Sequence, residues 1–430
     1  MKEKFKLTRL EKYWVLNDIG NSAFILLAAT LLPIYFNSLA SAEGVSESNY
    51  LAYWGYAASV VTALVVVLGP ILGTLADRGA MKRGLFFLFT LLGAVGCIAL
   101  GVAWSWLAFL VIFILAKLGF SGSLIFYDSM LTEITPENRM DKVSTAGYAY
   151  GYIGSVIPFV LCLVVVLFYE SFGITQSTAM IIAFAITGIW WILCSTPLLR
   201  SYKQTAFRKE AGSTVGATFR QLWTTIRNAK QEKHVFLYLL AFFFFIDGVY
   251  TIIDMATAYG AALGLDTTGL LLALLLTQVV AFPFSILFGR LTARYDTAKL
   301  IKLSILCYTG ITLFAVFLQT QWQFWMLAAL VGMFQGGIQA LSRSYLGKII
   351  RPEQSGEYYG LMDICGKGAS FVGTTLVAFV SQITDGLEFN FFGLRVANTG
   401  LAVGTLVILF AVGYVLFCKA DKHNKPRRKV

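Results

Sequence analysis

Charge is scarce in this chain. Asp, Glu, Lys and Arg make up only 13% of its 430 residues, about half the share found in soluble globular domains. That deficit excludes a disordered protein and an ordinary water-soluble enzyme. Histidine is scarcer still: His234 and His423 each stand at the edge of an apolar run, so a His-based metal centre has no ligands to draw on. The six cysteines (Cys97, Cys162, Cys194, Cys307, Cys365 and Cys418) stand singly and form no Cys-x-x-Cys pair. A disulfide-held secreted scaffold is therefore excluded, and the thiols read as packing groups. No Gly-x-x-x-x-Gly-Lys-Ser/Thr phosphate loop is present, so ATP-driven work would need another subunit. No Ser/His/Asp set is available for catalysis; neither an enzymatic activity nor a cofactor is expected.

What the chain has in quantity is apolar length. Hydrophobic residues make up 57%, and mean hydropathy is +0.72. Twelve apolar runs lie near 14–36, 51–75, 84–103, 106–130, 143–169, 178–198, 234–260, 269–290, 298–318, 323–347, 358–380 and 395–418. Each reaches the roughly 20 residues that a helix needs to cross the hydrocarbon core. The runs are continuously apolar rather than alternating in short segments, which marks helices and not barrel strands. The expected fold is an all-α polytopic membrane protein with twelve transmembrane helices. The lysine-rich start leads into the first run without a small-residue cleavage site and reads as a retained signal-anchor.

The basic residues are sorted. Of 34 Lys and Arg, 31 fall before the first run, after every second run, in the 199–233 segment or in the tail. The alternate loops 37–50, 170–177, 261–268 and 381–394 hold none, and the other three are Lys117, Lys367 and Arg395. The positive-inside rule puts both termini in the cytoplasm. The net charge of +11 follows from this sorting and from anionic inner-leaflet lipid, and needs no nucleic-acid partner. Within 199–233, Val215, Phe219, Leu222, Trp223 and Ile226 share one helical face, interleaved with Arg220, Arg227 and Lys230. This predicts a basic amphipathic helix on the inner membrane face, a pattern that a partner-binding helix shares.

An internal repeat divides the chain. Gly73, Leu75, Arg78 and Arg83 map onto Gly289, Leu291, Arg294 and Lys299 at a constant offset of 216 residues, which also carries Pro136-Glu137 onto Pro352-Glu353. Six spans return a chain to the same side, so two six-helix halves in parallel topology are expected. Their bounds are 1–198 and 234–418, with 199–233 as a cytoplasmic linker and 419–430 as a basic tail.

With Gly73-Thr-Leu75-Ala-Asp77-Arg78-Gly79…Lys82-Arg83 between the second and third runs, this arrangement resembles the major facilitator superfamily. Asn17-Asp18-x-x-Asn21-Ser22-Ala-Phe24, Asp247-Gly248-Val-x-Thr251, Gln335-Gly-Gly-Ile-Gln339-Ala-Leu-Ser342-Arg343-Ser344-Tyr345 and Gly366-Lys367-x-Ala-Ser resemble its vacuole-effluxer-like branch, also called the unknown major facilitator family. The resemblance extends over nearly the whole chain. It implies a central path lined by helices one, four, seven and ten, and a cytoplasmic gate at Gly73, Asp77, Arg78, Lys82 and Arg83, with Arg294 in the second copy. A purely topogenic role for these cations is the competing reading. Ala293 stands where the first copy has Asp77, so that half of the gate is expected to be weaker. Fungal members of the branch are linked to amino-acid efflux from the vacuole. Short loops and the lack of an Asn-x-Ser/Thr sequon point here to a prokaryotic plasma membrane.

Polar residues interrupt the apolar runs at helical spacing. A charge at mid-bilayer costs about 2.5–3.5 kcal/mol on insertion scales, so each needs a reason within the protein. Lys117, Ser121 and Asp128 share one face of the fourth helix, Asp247, Thr251 and Asp254 of the seventh, Gln335, Gln339 and Ser342 of the tenth, and Asp363, Lys367, Ser370 and Thr374 of the eleventh. Asp247 with Asp254 is expected to couple transport to protons; an acid permanently neutralised by hydrogen bonds or a cation is the alternative. Lys117 is expected to meet an anionic group of a substrate, or to form a structural ion pair. Lys367 either contacts substrate or forms a salt bridge with Asp363. Asn21, Tyr250, Gln335 and Gln339 complete the candidate substrate-binding set. Asp128, Glu133, Arg139, Arg343 and Glu353 are candidates for pairing on the inner side. Gly147, Gly151 and Gly154 on the fifth helix suit close helix packing.

The function expected is that of a secondary transporter with alternating access for a small polar solute, plausibly an amino acid or similar zwitterion. It is expected to be proton-coupled, an exporter by analogy, and a monomer whose partners are substrate, coupling ion and membrane lipid. A lipid or amphiphile translocase is the alternative that the 15% aromatic content suits. A receptor or scaffold would show a sizeable soluble domain or a degraded gate motif, and the chain has neither.

Overall fold

The structure, a computed structural model, describes residues 5–45, 47–207, 232–384, 389–391, 394–396 and 398–424. Among them are twelve helices long and apolar enough to cross a membrane. They are α1 (Arg9–Ala42), α2 (Glu47–Ala76), α3 (Lys82–Ala99), α4 (Trp106–Ser129), α5 (Glu137–Leu167), α6 (Gln176–Ser201), α7 (Lys233–Ala262), α8 (Thr267–Leu291), α9 (Thr297–Val316), α10 (Gln321–Ile349), α11 (Ser355–Ile383) and α12 (Leu406–Asn424). The chain is an all-α polytopic membrane protein. A pair of three-residue strands, Phe389–Phe391 and Leu394–Val396, forms a small antiparallel ribbon ahead of α12. The amphipathic pattern at 215–230 and the last six residues of the tail lie outside the described residues.

Local chemistry sets the helix ends. Thr8 and Glu11 form a reciprocal capping box at α1, and Thr320 with Gln323 forms another at α10. Ser105, Thr175, Asp266 and Asp296 each accept a first-turn amide of α4, α6, α8 and α9. Each such cap satisfies an orphan donor and is worth about 1 kcal/mol. α1, α5 and α11 begin before their apolar runs, at Arg9, Glu137 and Ser355. The added turns are polar and stay helical because a helix closes its own backbone bonds in lipid and water alike.

The chain forms two compact units. Unit 1 comprises Met1–Pro136, Tyr150–Thr218 and Pro352–Gly360; unit 2 comprises Glu137–Ala149, Phe219–Arg351 and Leu361–Val430. The beginning of α5 thus belongs to unit 2, and the beginning of α11 to unit 1. In unit 1, Trp14 stacks on Tyr127 with ring centroids 4.5 Å apart, and Phe24 lies against Phe120 and Trp191. Lipid gives no hydrophobic reward for bringing helices together, so close approach decides. A Cβ on Gly119 would stand 2.3 Å from the backbone nitrogen of Gly93, which lets α3 and α4 touch directly. In unit 2, Tyr238, Tyr345 and Phe417 cluster, and the Tyr238 hydroxyl donates to the Ser342 carbonyl at 2.7 Å.

Candidate functional site

In unit 1 the Gly73 motif ends α2 and begins α3. A Cβ on Gly73 would stand 2.1 Å from the Gly356 carbonyl oxygen, and one on Gly356 would stand 2.4 Å from the Gly73 carbonyl oxygen. α2 therefore lies directly on the start of α11, and Asp77 reaches that helix's N-terminus. Asp77 Oδ1 accepts from the Gly356 N–H at 2.8 Å, and its Oδ2 from the Glu357 N–H at 2.9 Å. These are orphan donors of a first turn, where the helix dipole also favours negative charge. Lys82 is fully buried, 3.8 Å from Asp77, and donates to Glu133 at 2.7 Å and to Ser355 Oγ at 2.9 Å. Burial pushes the Asp77 carboxyl up to about 7, against the opposing pull of Lys82 and the two amides.

The start of the linker is bound into the same network. Glu133 Oε2 accepts from the amides of Thr205 (2.7 Å) and Ala206 (3.1 Å), and its Oε1 from the Tyr202 hydroxyl (2.8 Å). The Gln204 side chain accepts from the Lys82 N–H and donates to the Ala76 carbonyl, both at 2.9 Å, capping the end of α2 and the start of α3 together. The loop it spans passes through Gly79 and Ala80 at φ 57° and 58°, a geometry that glycine accepts and alanine resists. Gln204→Ala is expected to lower stability by about 1–3 kcal/mol through loss of these bonds, read as earlier thermal unfolding in detergent. Gln204→Glu keeps the acceptor for Lys82 and loses the bonds donated to Ala76 and Ala206, so it should lose less; equal losses would show that the side chain does not bridge.

Unit 2 holds a second lock at the repeat-related place. Gly289, the counterpart of Gly73, sits against α5: a Cβ there would stand 2.2 Å from Thr145 Oγ1. Ala293 leaves this copy of the motif without its acid, and Asp141 on α5 takes the place. Asp141 accepts from Ser344 Oγ at 2.6 Å and Thr297 Oγ1 at 2.7 Å and pairs with Lys348. Arg343, also buried, donates to Ser144 Oγ at 2.9 Å and to the Ser144 carbonyl at 3.1 Å, and lies over the Tyr148 ring. The second copy of the motif therefore lies beside a buried acid that comes from α5 and not from the motif itself.

The intramembrane residues fall into both units. On α7, Asp247 is fully buried; its Oδ1 accepts from Thr251 Oγ1 at 3.2 Å and from the Gly373 N–H of α11 at 2.9 Å. Its Oδ2 has no hydrogen-bond partner among the described residues. Tyr250, half-buried, faces α11 at Gly366, where a Cβ would stand 3.4 Å from its ring. Asp254, further along α7, is exposed. Lys367 pairs with Asp363 at 2.6 Å. On α10, Gln335 is buried with its Oε1 unpartnered among the described residues, and Gln339 is half-buried. In unit 1, Asn21 is buried with its Nδ2 unpartnered among the described residues. The half-buried Lys117 has its Nζ 5.5 Å and 5.9 Å from the Phe120 and Phe24 ring centroids, an arrangement that favours a cation.

Residues 9–413 match the family described as "Vacuole effluxer Atg22 like". The chain belongs to this family. The MFS-type transporter YxiO of Bacillus subtilis is 38% identical over 416 residues, covering 96% of this chain and 94% of that one. Autophagy-related protein 22-1 of Aspergillus niger is 25% identical over 265 residues, 56% of this chain and 42% of the fungal protein. The fold is that of the major facilitator superfamily: the crystal structure of FucP in the outward conformation aligns with a TM-score of 0.70 at 15% identity, covering 96% of this chain and 98% of that one. The Atg22-like chain is thus a major-facilitator-type transporter and an integral multi-pass membrane protein.

In this Atg22-like protein the gate motif divides by burial. Asp77, Arg78 and Lys82 are buried, whereas Arg83 and Arg294 are exposed. Of the inner-side candidates, Glu133 and Arg343 enter the two locks, and Glu353 is exposed. Sequence reasoning missed Asp141, Gln204 and Gly373. Asp141 had a signal: it stands at the same 216-residue offset from Glu357.

Proposed function

We propose that this Atg22-like chain is a proton-coupled secondary transporter that exports a small zwitterionic solute, such as an amino acid, by alternating access. The observation that carries the reading is Asp247, a fully buried acid inside a membrane span with one carboxylate oxygen unpartnered among the described residues. An unsatisfied polar group in such a medium costs several kcal/mol, so taking up a proton removes a charge that the surroundings do not balance. In this reading Lys117, poised over two aromatic rings, receives the solute's carboxylate. Asn21 is the second substrate-binding candidate of unit 1, and in unit 2 the candidates are Gln335, Gln339 and Tyr250. The Asp77 and Asp141 networks fasten the inner side when it is shut. Asp254, exposed on the same helix, exchanges protons with water.

Export is supported by the effluxer description of the family, and a plasma-membrane location by the Bacillus relative. Charge sorting supports cytoplasmic termini; the protein acts as a monomer. The reading is tested in proteoliposomes with an imposed pH gradient. Asp247→Asn is expected to lose the gradient-driven component while downhill exchange persists; a variant that stays fully gradient-dependent shows that the proton site lies elsewhere.

A further inference from the structure

α11 is gripped at two points through its own backbone. At its inner end Gly356 and Glu357 donate to Asp77, and further along Gly373 donates to Asp247 Oδ1. A mid-helix N–H is ordinarily committed to the carbonyl four residues earlier, so a carboxylate that accepts from Gly373 competes with that bond, and a side chain that enters the ladder is one cause of helix bending. Glycine is required there: a Cβ would stand 2.2 Å from Thr251 Oγ1 and 2.4 Å from Asp247 Oδ1. One turn outward, Thr251, Met255, Tyr259, Ile311, Val377 and Leu406 line a small apolar cavity, which gives α11 room to shift in an otherwise close-packed interior.

The surroundings of Asp247 hold little charge. Its hydrogen bonds come from Thr251 and Gly373 alone among the described residues. α12 meets α7 at this level with Phe410 against Gly248, and α9 approaches further out, where the Tyr259 hydroxyl donates to the Ala315 carbonyl. α10 contributes the Ser342 carbonyl, bonded to Tyr238 nearer the inner end, and neutral Gln335. On α11 the charged groups are Glu357 in the first turn and Asp363 with Lys367, the last two bonded to each other. On α7 itself the nearest titratable groups are Tyr250 and the exposed Asp254.

We propose that Gly373 is the residue through which the charge on Asp247 acts on α11. The proposal rests on the reading of Asp247 as the proton site. Both donors bind Oδ1, so the proton resides on Oδ2. Without it, Gly373 donates to a carboxylate, a charge-assisted bond about twice as strong as a neutral one. With it, the acceptor is neutral, the grip weakens and α11 bends at Gly373. Gly373 is thus a positioning residue that touches neither solute nor proton.

The test is hydrogen–deuterium exchange of the full chain in lipid nanodiscs, read on the peptide that contains Gly373 and corrected for intrinsic rates. Protection is expected to rise about tenfold with increasing pH in the parent protein and to stay flat in Asp247→Asn. Flat protection in a parent whose gradient response still needs Asp247 overturns the Gly373 link and leaves the proton-site reading standing. A full gradient response in Asp247→Asn overturns that reading itself. Gly373→Ala, which keeps the acid and the amide but forces the helices apart, is expected to lose the gradient response; retention counts against the proposal. Where that variant does not fold, Thr251→Val leaves Gly373 as the one donor to Oδ1. The pH-dependent protection should then grow, and shrinkage overturns the link.

Discussion

Asp77→Ala is expected to lower uptake into proteoliposomes by roughly two to three orders of magnitude. The substitution strands the first-turn amides of Gly356 and Glu357 and takes from the fully buried Lys82 one of its two carboxylates. Breaking a buried ionic network by removing one member costs about 3–5 kcal/mol, and about 1.4 kcal/mol is a factor of ten in a population. In the proposed cycle, a carrier that no longer holds its inner side shut cannot turn over. Thiol labelling of a Gln354→Cys reporter on the inner side should rise in parallel; unchanged labelling would show that Asp77 does not hold α11 in place.

The same carboxyl makes the lock sensitive to pH. Burial pushes it up to about 7 in the lock from its ordinary value of 3.8, so the locked form binds the proton more tightly than a form in which Asp77 meets water. The stabilisation that follows is present in full below 3.8 and is lost as pH rises through about 7. Reporter labelling is therefore expected to increase from about pH 6 to about pH 8. Asp77→Asn, which cannot ionise, should abolish that increase.

Asp141→Ala is expected to destabilise the protein by about 3–5 kcal/mol, because Lys348 is left as a largely buried cation without its carboxylate and the Ser344 and Thr297 hydroxyls lose their acceptor. Removing the stranded charge as well should recover much of the loss, since well-packed apolar replacements of a buried pair are often tolerated. Thermal unfolding of Asp141→Ala, Lys348→Met and the double variant decides the matter. A double variant no more stable than Asp141→Ala would show that Lys348 is not the group that Asp141 compensates.

The spans were legible because continuous apolar length fixes helices in lipid without reference to any partner. The first lock was half legible: Gly73, Asp77 and Lys82 lie within one short motif, whereas Glu133, Gln204 and Ser355 join them from distant parts of the chain. Asp141 escaped notice because its partners Thr297, Ser344 and Lys348 lie more than 150 residues away in sequence, and only the repeat offset marks it. Gln204 is an amide in a polar stretch and Gly373 a glycine in an apolar run; neither type announces a bond to a remote backbone or acid. Spacing put Asp254 on the face of Asp247, yet it is exposed, since periodicity says which residues share a face and not how far a neighbour covers it. Two glycines of α5 follow the packing reading: a Cβ on Gly151 would meet Ser22, and one on Gly154 would meet Ile19 of α1.

Tyr202, Gln204, Thr205 and Ala206 have a consequence for the reach of the chain that follows α6. α6 ends at Ser201, but the next five residues are fastened to Glu133 and to the α2–α3 turn. An extended chain spans at most about 3.3–3.6 Å per residue, so fastening five residues removes about 17 Å of slack. The connection that follows therefore starts at the α2–α3 turn rather than at the last span, and its reach is set by the same carboxylate that pairs with Lys82.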